Sequence, residues 1–190
     1  MSMNAYAAVK WIWIGFGSFW LLAAFVQKRN ARRQSLGSRL LQMSVVLLVL
    51  VPFFVADRRA GLLSRHFYRD SPAIQYFGVL LLSLGCGFAI WARFILGRNW
   101  SGIVTVKENH TLITRGPYAW ARHPIYSGIL LALLGTVIAV GTIMNLLEVP
   151  LAAFALWLKL RTEEQFMLET FGAQYAAYRQ RVKALIPHLI

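Results

Sequence analysis

The sequence predicts an all-α integral membrane protein with about five transmembrane helices. Of its 190 residues 58% are hydrophobic and only 14% charged, a balance too apolar for an ordinary soluble domain. The apolar residues gather into five runs, 5–26, 40–56, 73–96, 125–147 and 149–160, each bounded by charge, proline or both. Most of the twenty Lys and Arg, which set a net charge of +13 against seven acidic residues, are dispersed over the short connections between those runs and over the tail. That dispersal fits anionic lipid head groups and topogenesis and argues against a nucleic-acid partner.

The first run, 5–26, has about the 20 residues that a span needs, and no small-residue cleavage site leads from it into a soluble domain. It reads as a retained anchor, and with the second run, 40–56, it makes an N-terminal pair of spans within residues 1–72. The third run, 73–96, opens a C-terminal unit, 73–190, and holds the single cysteine, Cys86, at mid-run. A lone cysteine there excludes an intrachain disulfide and reads as a small core residue. Next, Ser101-Gly-Ile-Val-Thr-Val-Lys107 alternates β-branched and small residues as a strand does, and Arg115-Gly-Pro-Tyr118 reads as a turn. The stretch is too short for a domain and long enough for a lid. The fourth and fifth runs are expected to form a tight helical hairpin broken at Asn145 and Pro150. Beyond them Phe166, Leu168, Phe171, Tyr175 and Tyr178 recur at helical spacing, which predicts a helix over 162–182 lying along or capping the membrane face.

Basic residues beside the spans set the orientation. With alternating sides, fourteen Lys and Arg fall with the connection after the first run, the connection after the third and the tail, against four (Arg58, Arg59, Arg65, Arg69) after the second. The richer side is cytoplasmic by the positive-inside rule, so the C-terminus faces the cytoplasm, where soluble cofactors are found.

Two polar clusters stand at that face. Arg115-Gly-Pro-Tyr-Ala-Trp-Ala-Arg-His-Pro-Ile-Tyr-Ser-Gly128 crowds cations and aromatics onto the threshold of the fourth run, and Lys159-Leu-Arg-Thr-Glu-Glu164 closes the fifth. His123-Pro124 suits a helix start, whose free N–H groups attract polar ligand atoms. Interfacial anchoring would account for Arg122, His123, Tyr118, Trp120 and Tyr126 equally well. The adjacent Glu163 and Glu164 are more informative, because the chain has only seven acidic residues and these two lie among cations. Either they are a solvated pair at a helix end or one of them meets a cationic or hydroxyl-bearing ligand. The four scattered histidines offer no metal-ligand spacing, and Gly-rich phosphate loops, nucleophile elbows and dinucleotide fingerprints are missing from the sequence.

Four segments in order, Leu96-Gly-Arg-Asn-Trp-Ser101, His110-Thr-Leu-Ile-Thr-Arg-Gly-Pro-Tyr118, Arg122-His-Pro-Ile-Tyr-Ser-Gly128 and Arg161-Thr-Glu-Glu164 followed by Phe171-Gly-Ala-Gln-Tyr-Ala-Ala-Tyr178, resemble the isoprenylcysteine carboxyl methyltransferase family and, more distantly, the phospholipid methyltransferases. The resemblance covers roughly the last hundred residues. It implies an S-adenosyl-L-methionine-dependent methyltransferase whose cofactor pocket lies at the cytosolic membrane face, without a soluble Rossmann domain. Carried over by position, His110, Thr111, Leu112 and Ile113 would line the cofactor and Tyr118 would pack on it. His123, Pro124, Ile125 and Tyr126 would hold it at the helix start, and Glu163 would bind it from the last span. The family's substrate-orienting cation falls on Lys159, with Arg161 as its neighbour, and lysine supplies the charge without the two-pronged grip of arginine.

Methyl transfer is an in-line displacement, so alignment and exclusion of water supply most of the effect. A carboxylate acceptor is already ionised at neutral pH and needs only to be aimed; an amine, thiol or hydroxyl would need a base, for which His123 and Glu164 are the candidates. The expected partners are the lipid bilayer and a lipidic or prenylated acceptor entering sideways between spans. The compact length points to a prokaryotic version in the inner cell membrane, with the natural acceptor open. Two rivals remain: an NADPH-dependent sterol-type reductase of similar C-terminal architecture, and a non-enzymatic membrane scaffold or transporter subunit, against which the clustering of polar residues at one face argues.

Overall fold

The computed structural model describes residues 3–24, 30–33, 61–68, 71–97, 105–107 and 112–186. Within them the chain forms five helices, α1 (Met3–Ala24), α2 (Pro72–Leu96), α3 (Pro124–Val140), α4 (Ile143–Phe171) and α5 (Ala173–Arg181). Two short strands, β1 (Asn30–Arg33) and β2 (Thr105–Lys107), pair antiparallel. The expected strand is therefore real at 105–107, and it joins the connection that follows α1. The turn expected at 115–118 is a 3-10 turn over Gly116–Ala119. The expected span 40–56 lies outside the described residues.

Three of the helices, α1, α2 and α4, are long and apolar enough to cross a membrane, and α3 is a shorter apolar helix. The outer surface agrees: Leu21, Phe94 and Leu147 are 72%, 67% and 56% exposed, a surface suited to acyl chains rather than water. The chain is thus an all-α, multi-pass membrane protein.

The hairpin turns elsewhere than expected. The break falls at Gly141–Thr142, not at Asn145 and Pro150, because Gly141 takes the left-handed conformation (φ 72°) that ends α3 and the Thr142 hydroxyl accepts from the Asn145 N–H to start α4. Pro150 sits inside α4, where it costs the helix one backbone hydrogen bond without ending it. Nor does the span stop at Leu160. α4 runs unbroken for 29 residues, about 43 Å at 1.5 Å per residue, against a hydrocarbon core of about 30 Å. Its last turns therefore project beyond the apolar run 149–160, carrying Glu163 and Glu164 with them, and only after Gly172 does α5 begin.

The core is the antiparallel seam between α2 and α3. Glycines recur seven residues apart on both helices, Gly78 and Gly85 facing Gly135 and Gly128. A Cβ on Gly85 would lie 2.5 Å from the Ala132 backbone nitrogen, and one on Gly135 2.3 Å from that of Leu82, so the backbones touch. In lipid, where burial of apolar surface gives helices little reason to associate, such close packing is the main attraction. Buried Ala89, Ala92, Ala132 and Ala139 extend the seam, with Cys86 beside them. α1 leans on it through the Trp13 indole, which donates to the Thr136 hydroxyl at 3.0 Å. At the other end of α1 the buried Arg93 donates to the carbonyls of Ala23 (2.9 Å) and Gly97 (2.6 Å), answering the unpaired carbonyls where α1 and α2 end.

Candidate active site

The seam fixes where α3 begins, and α3 begins with His123 as its N-cap and Pro124 in the first turn, where the missing N–H costs nothing. One helical turn on, Tyr126 stacks on the His123 ring, centroids 5.4 Å apart and planes within 6°. The projecting end of α4 stands opposite and supplies the acids. Tyr126 Oη donates to Glu163 Oε1 at 2.6 Å, His123 Nδ1 lies 3.4 Å from Glu163 Oε2, and His123 Nε2 lies 3.4 Å from Glu164 Oε1. The last contact is ionic rather than an aligned hydrogen bond. Burial disfavours the imidazolium, but the two glutamates outweigh it, so His123 holds its proton above its ordinary pKa.

The two adjacent glutamates differ. Glu164 is buried and ion-paired: Arg122 reaches its Oε1 through Nε (2.7 Å) and Nη2 (2.5 Å), and Arg179 Nε stands 3.4 Å from its Oε2. Glu163 keeps a quarter of its side chain exposed, so it is the carboxylate a ligand can reach. Lys159 Nζ lies 5.6 Å from the centre of the Tyr126 ring, on the same side as Glu163. Arg161 is not brought to this group; its guanidinium lies 4.3 Å over Trp157, which is itself on the exposed surface.

Tyr118 is buried beside the group, and burial, reinforced by the charge of Glu163, raises its phenol well above the usual range, so it stays neutral. Its carbonyl accepts from Tyr178 Oη at 2.6 Å, which ties α5 to the 3-10 turn. Pro124 and Ile125 are buried under the site, Ile113 packs against the core and Leu112 is half-buried. His110 and Thr111 lie outside the described residues.

The sequence reading missed one part of the group. Residues 182–185 run beside the start of α3, where the N–H groups of Arg122 and His123 donate to the carbonyls of Lys183 (2.8 Å) and Ala184 (2.9 Å) and Ser127 Oγ donates to that of Leu185 (2.6 Å). No side-chain pattern announces such a strap, because its carbonyls make the contacts.

A carboxylate with a quarter of its side chain exposed, a stacked His–Tyr pair, a lysine and a helix N-terminus gather at one end of the bundle, and the class the fold defines is a multi-pass membrane protein with a polar cluster at that end. The comparisons point to a family. Residues 78–169, just under half of the chain, match the isoprenylcysteine carboxyl methyltransferase family. The protein-S-isoprenylcysteine O-methyltransferase of Saccharomyces cerevisiae is 33% identical over 118 residues, covering 59% of this chain and 48% of the yeast protein. The cobalt-zinc-cadmium resistance protein CzcN of Cupriavidus metallidurans is 35% identical over 125 residues, 63% of this chain and 51% of that protein. The solved structure of a eukaryotic intramembrane Ras methyltransferase, an isoprenylcysteine carboxyl methyltransferase, superposes with a TM-score of 0.51 at 28% identity, covering 84% of this chain and 55% of that one. The chain spans about half the length of these relatives.

Proposed function

We propose that the protein is an S-adenosyl-L-methionine-dependent methyltransferase that esterifies the carboxylate of a prenylcysteine-like or other lipidic acceptor at the membrane face. The observation that carries the reading is the partly exposed Glu163, oriented by Tyr126 and His123, with Lys159 beside the same aromatic ring. This donor set fits the cofactor: a carboxylate, Glu163, for its amino group and the aromatic ring of Tyr118 for its cationic sulfonium. When bound, S-adenosylmethionine supplies an activated methyl group.

The residues' own work is to bind, aim and keep dry. Glu163 is held ready because both its oxygens already have partners, Tyr126 and His123, that fix its plane. Lys159 offers the acceptor carboxylate a cation on the Glu163 side of α4, whereas Arg161 points to the outer surface, which favours Lys159 as the orienting residue. No base is required, since a carboxylate acceptor is ionised at neutral pH. The exposed apolar sides of the bundle let a lipidic acceptor reach this end of α4 without leaving the membrane.

The test is a methyl-transfer assay with a prenylcysteine analogue and its amide. The acid should be methylated and the amide not, and Lys159→Ala should lower turnover or acceptor affinity with cofactor affinity unchanged, while Lys159→Arg is tolerated. Methylation of the amide as well as the acid, or loss of activity in Arg161→Ala with none in Lys159→Ala, would contradict the assignment.

A further inference from the structure

Glu164 has no place in the chemistry described so far, yet it is the better buried of the two glutamates and has the larger set of partners. Its Oε1 receives both Arg122 Nε and Nη2 and stands 3.4 Å from His123 Nε2. The third nitrogen of the same guanidinium, Arg122 Nη1, donates to the carbonyls of Val182 and of Arg179 (3.2 Å), where α5 runs out into the strap. The Arg122 side chain thus bridges a carboxylate of α4 and carbonyls of the C-terminal segment, while its own backbone N–H holds the Lys183 carbonyl.

We propose that Glu164 is a positioning residue: with Arg122 it forms a latch that clasps residues 182–185 to the start of α3 and sets the His123 ring against Glu163. The chemistry requires the pair. Backbone carbonyls alone solvate a buried guanidinium but do not neutralise it, so without Glu164 the Arg122 side chain would turn to water and release them. His123 would lose the carboxylate behind its ring and with it the position from which Nδ1 meets Glu163. Glu164 therefore acts on a ligand only through His123 and the strap. The proposal rests on the cofactor reading above for its functional consequence, but the latch itself does not.

Two readouts separate the layers. In nanodiscs, amide hydrogen exchange at Arg122 and His123, the donors to the strap, reports the latch; titration of S-adenosylmethionine and the acceptor's KM at saturating cofactor report its consequence. In Glu164→Gln, exchange at both amides should rise about tenfold and cofactor Kd about tenfold, with the acceptor KM unchanged, because a neutral amide keeps the shape and loses the charge. Glu164→Asp, which restores the charge, should recover much of both. Glu163→Gln should raise the cofactor Kd and leave exchange at 122 and 123 at the wild-type rate. If Glu164→Gln does not fold, Arg122→Lys, which keeps the charge and loses the bridge, should show the same faster exchange. Wild-type exchange in whichever of Glu164→Gln and Arg122→Lys folds overturns the latch. Faster exchange with unaltered cofactor affinity overturns the positioning role. A wild-type protein that binds no S-adenosylmethionine sinks the cofactor reading, and the exchange data still decide the latch.

Discussion

Near its start, α4 buries Glu148 against the Asn145 amide, which donates to Oε2 at 3.0 Å while accepting from the Thr142 hydroxyl at 2.5 Å; near its end it buries Glu164 against Arg122 and Arg179. Both carboxyl groups are hidden, and both sit in the same helix. The first has a neutral partner and leaves Oε1 without one; the second is ringed by cations and linked through them to two other segments. The difference teaches how to tell a carboxyl group that closes a helix start from one that assembles a site. The capping chain Thr142–Asn145–Glu148 is local, all within seven residues, and the N-terminal dipole supports it. The Arg122–Glu164 pair spans 42 residues and would be pointless unless the segments it joins had to be held together.

The contrast breaks first at Arg122. Arg122→Leu strands Glu164 as a buried charge with only the more distant Arg179 and His123 nearby, and should cost about 3–5 kcal/mol of stability. Thermal unfolding in detergent measures it, and a loss under about 1 kcal/mol would make the pair a surface-like ornament. At the other end Glu148→Gln keeps an oxygen for the Asn145 donor and removes only the ionisable group. Its effect should stay within about 1 kcal/mol, with methyl transfer unchanged. A Glu148→Gln variant that loses activity while Arg122→Leu keeps it would reverse the roles assigned to the two ends.

Much of this was legible in the sequence, for reasons that differ by residue. Runs of about twenty apolar residues read as membrane spans, so α1 and α2 follow from composition, whereas the twelve-residue run 149–160 does not announce the 29 residues of α4. His123, Tyr126, Lys159 and Glu163 stood out as polar residues at span ends, and they do converge. The hairpin was misplaced because proline is the louder signal, yet Gly141 and Thr142 carry the conformations and caps that a turn needs. The glycine seam went unread because hydropathy is blind to size: Gly85 and Gly135 register as weakly apolar, and only their spacing of seven from Gly78 and Gly128 betrays a contact face. The strap at 182–185 was illegible in principle, since backbone carbonyls are common to every residue and only the fold aims them.

The central claim is that the group around Glu163 binds S-adenosylmethionine, and titration calorimetry of that cofactor into the purified protein tests it most directly. Wild-type protein should bind, and Glu163→Ala and His123→Ala should each weaken binding by about 1–3 kcal/mol, because each removes a polar contact from a partly desolvated pocket. Wild-type affinity in both variants would take these residues out of the site and contradict the account.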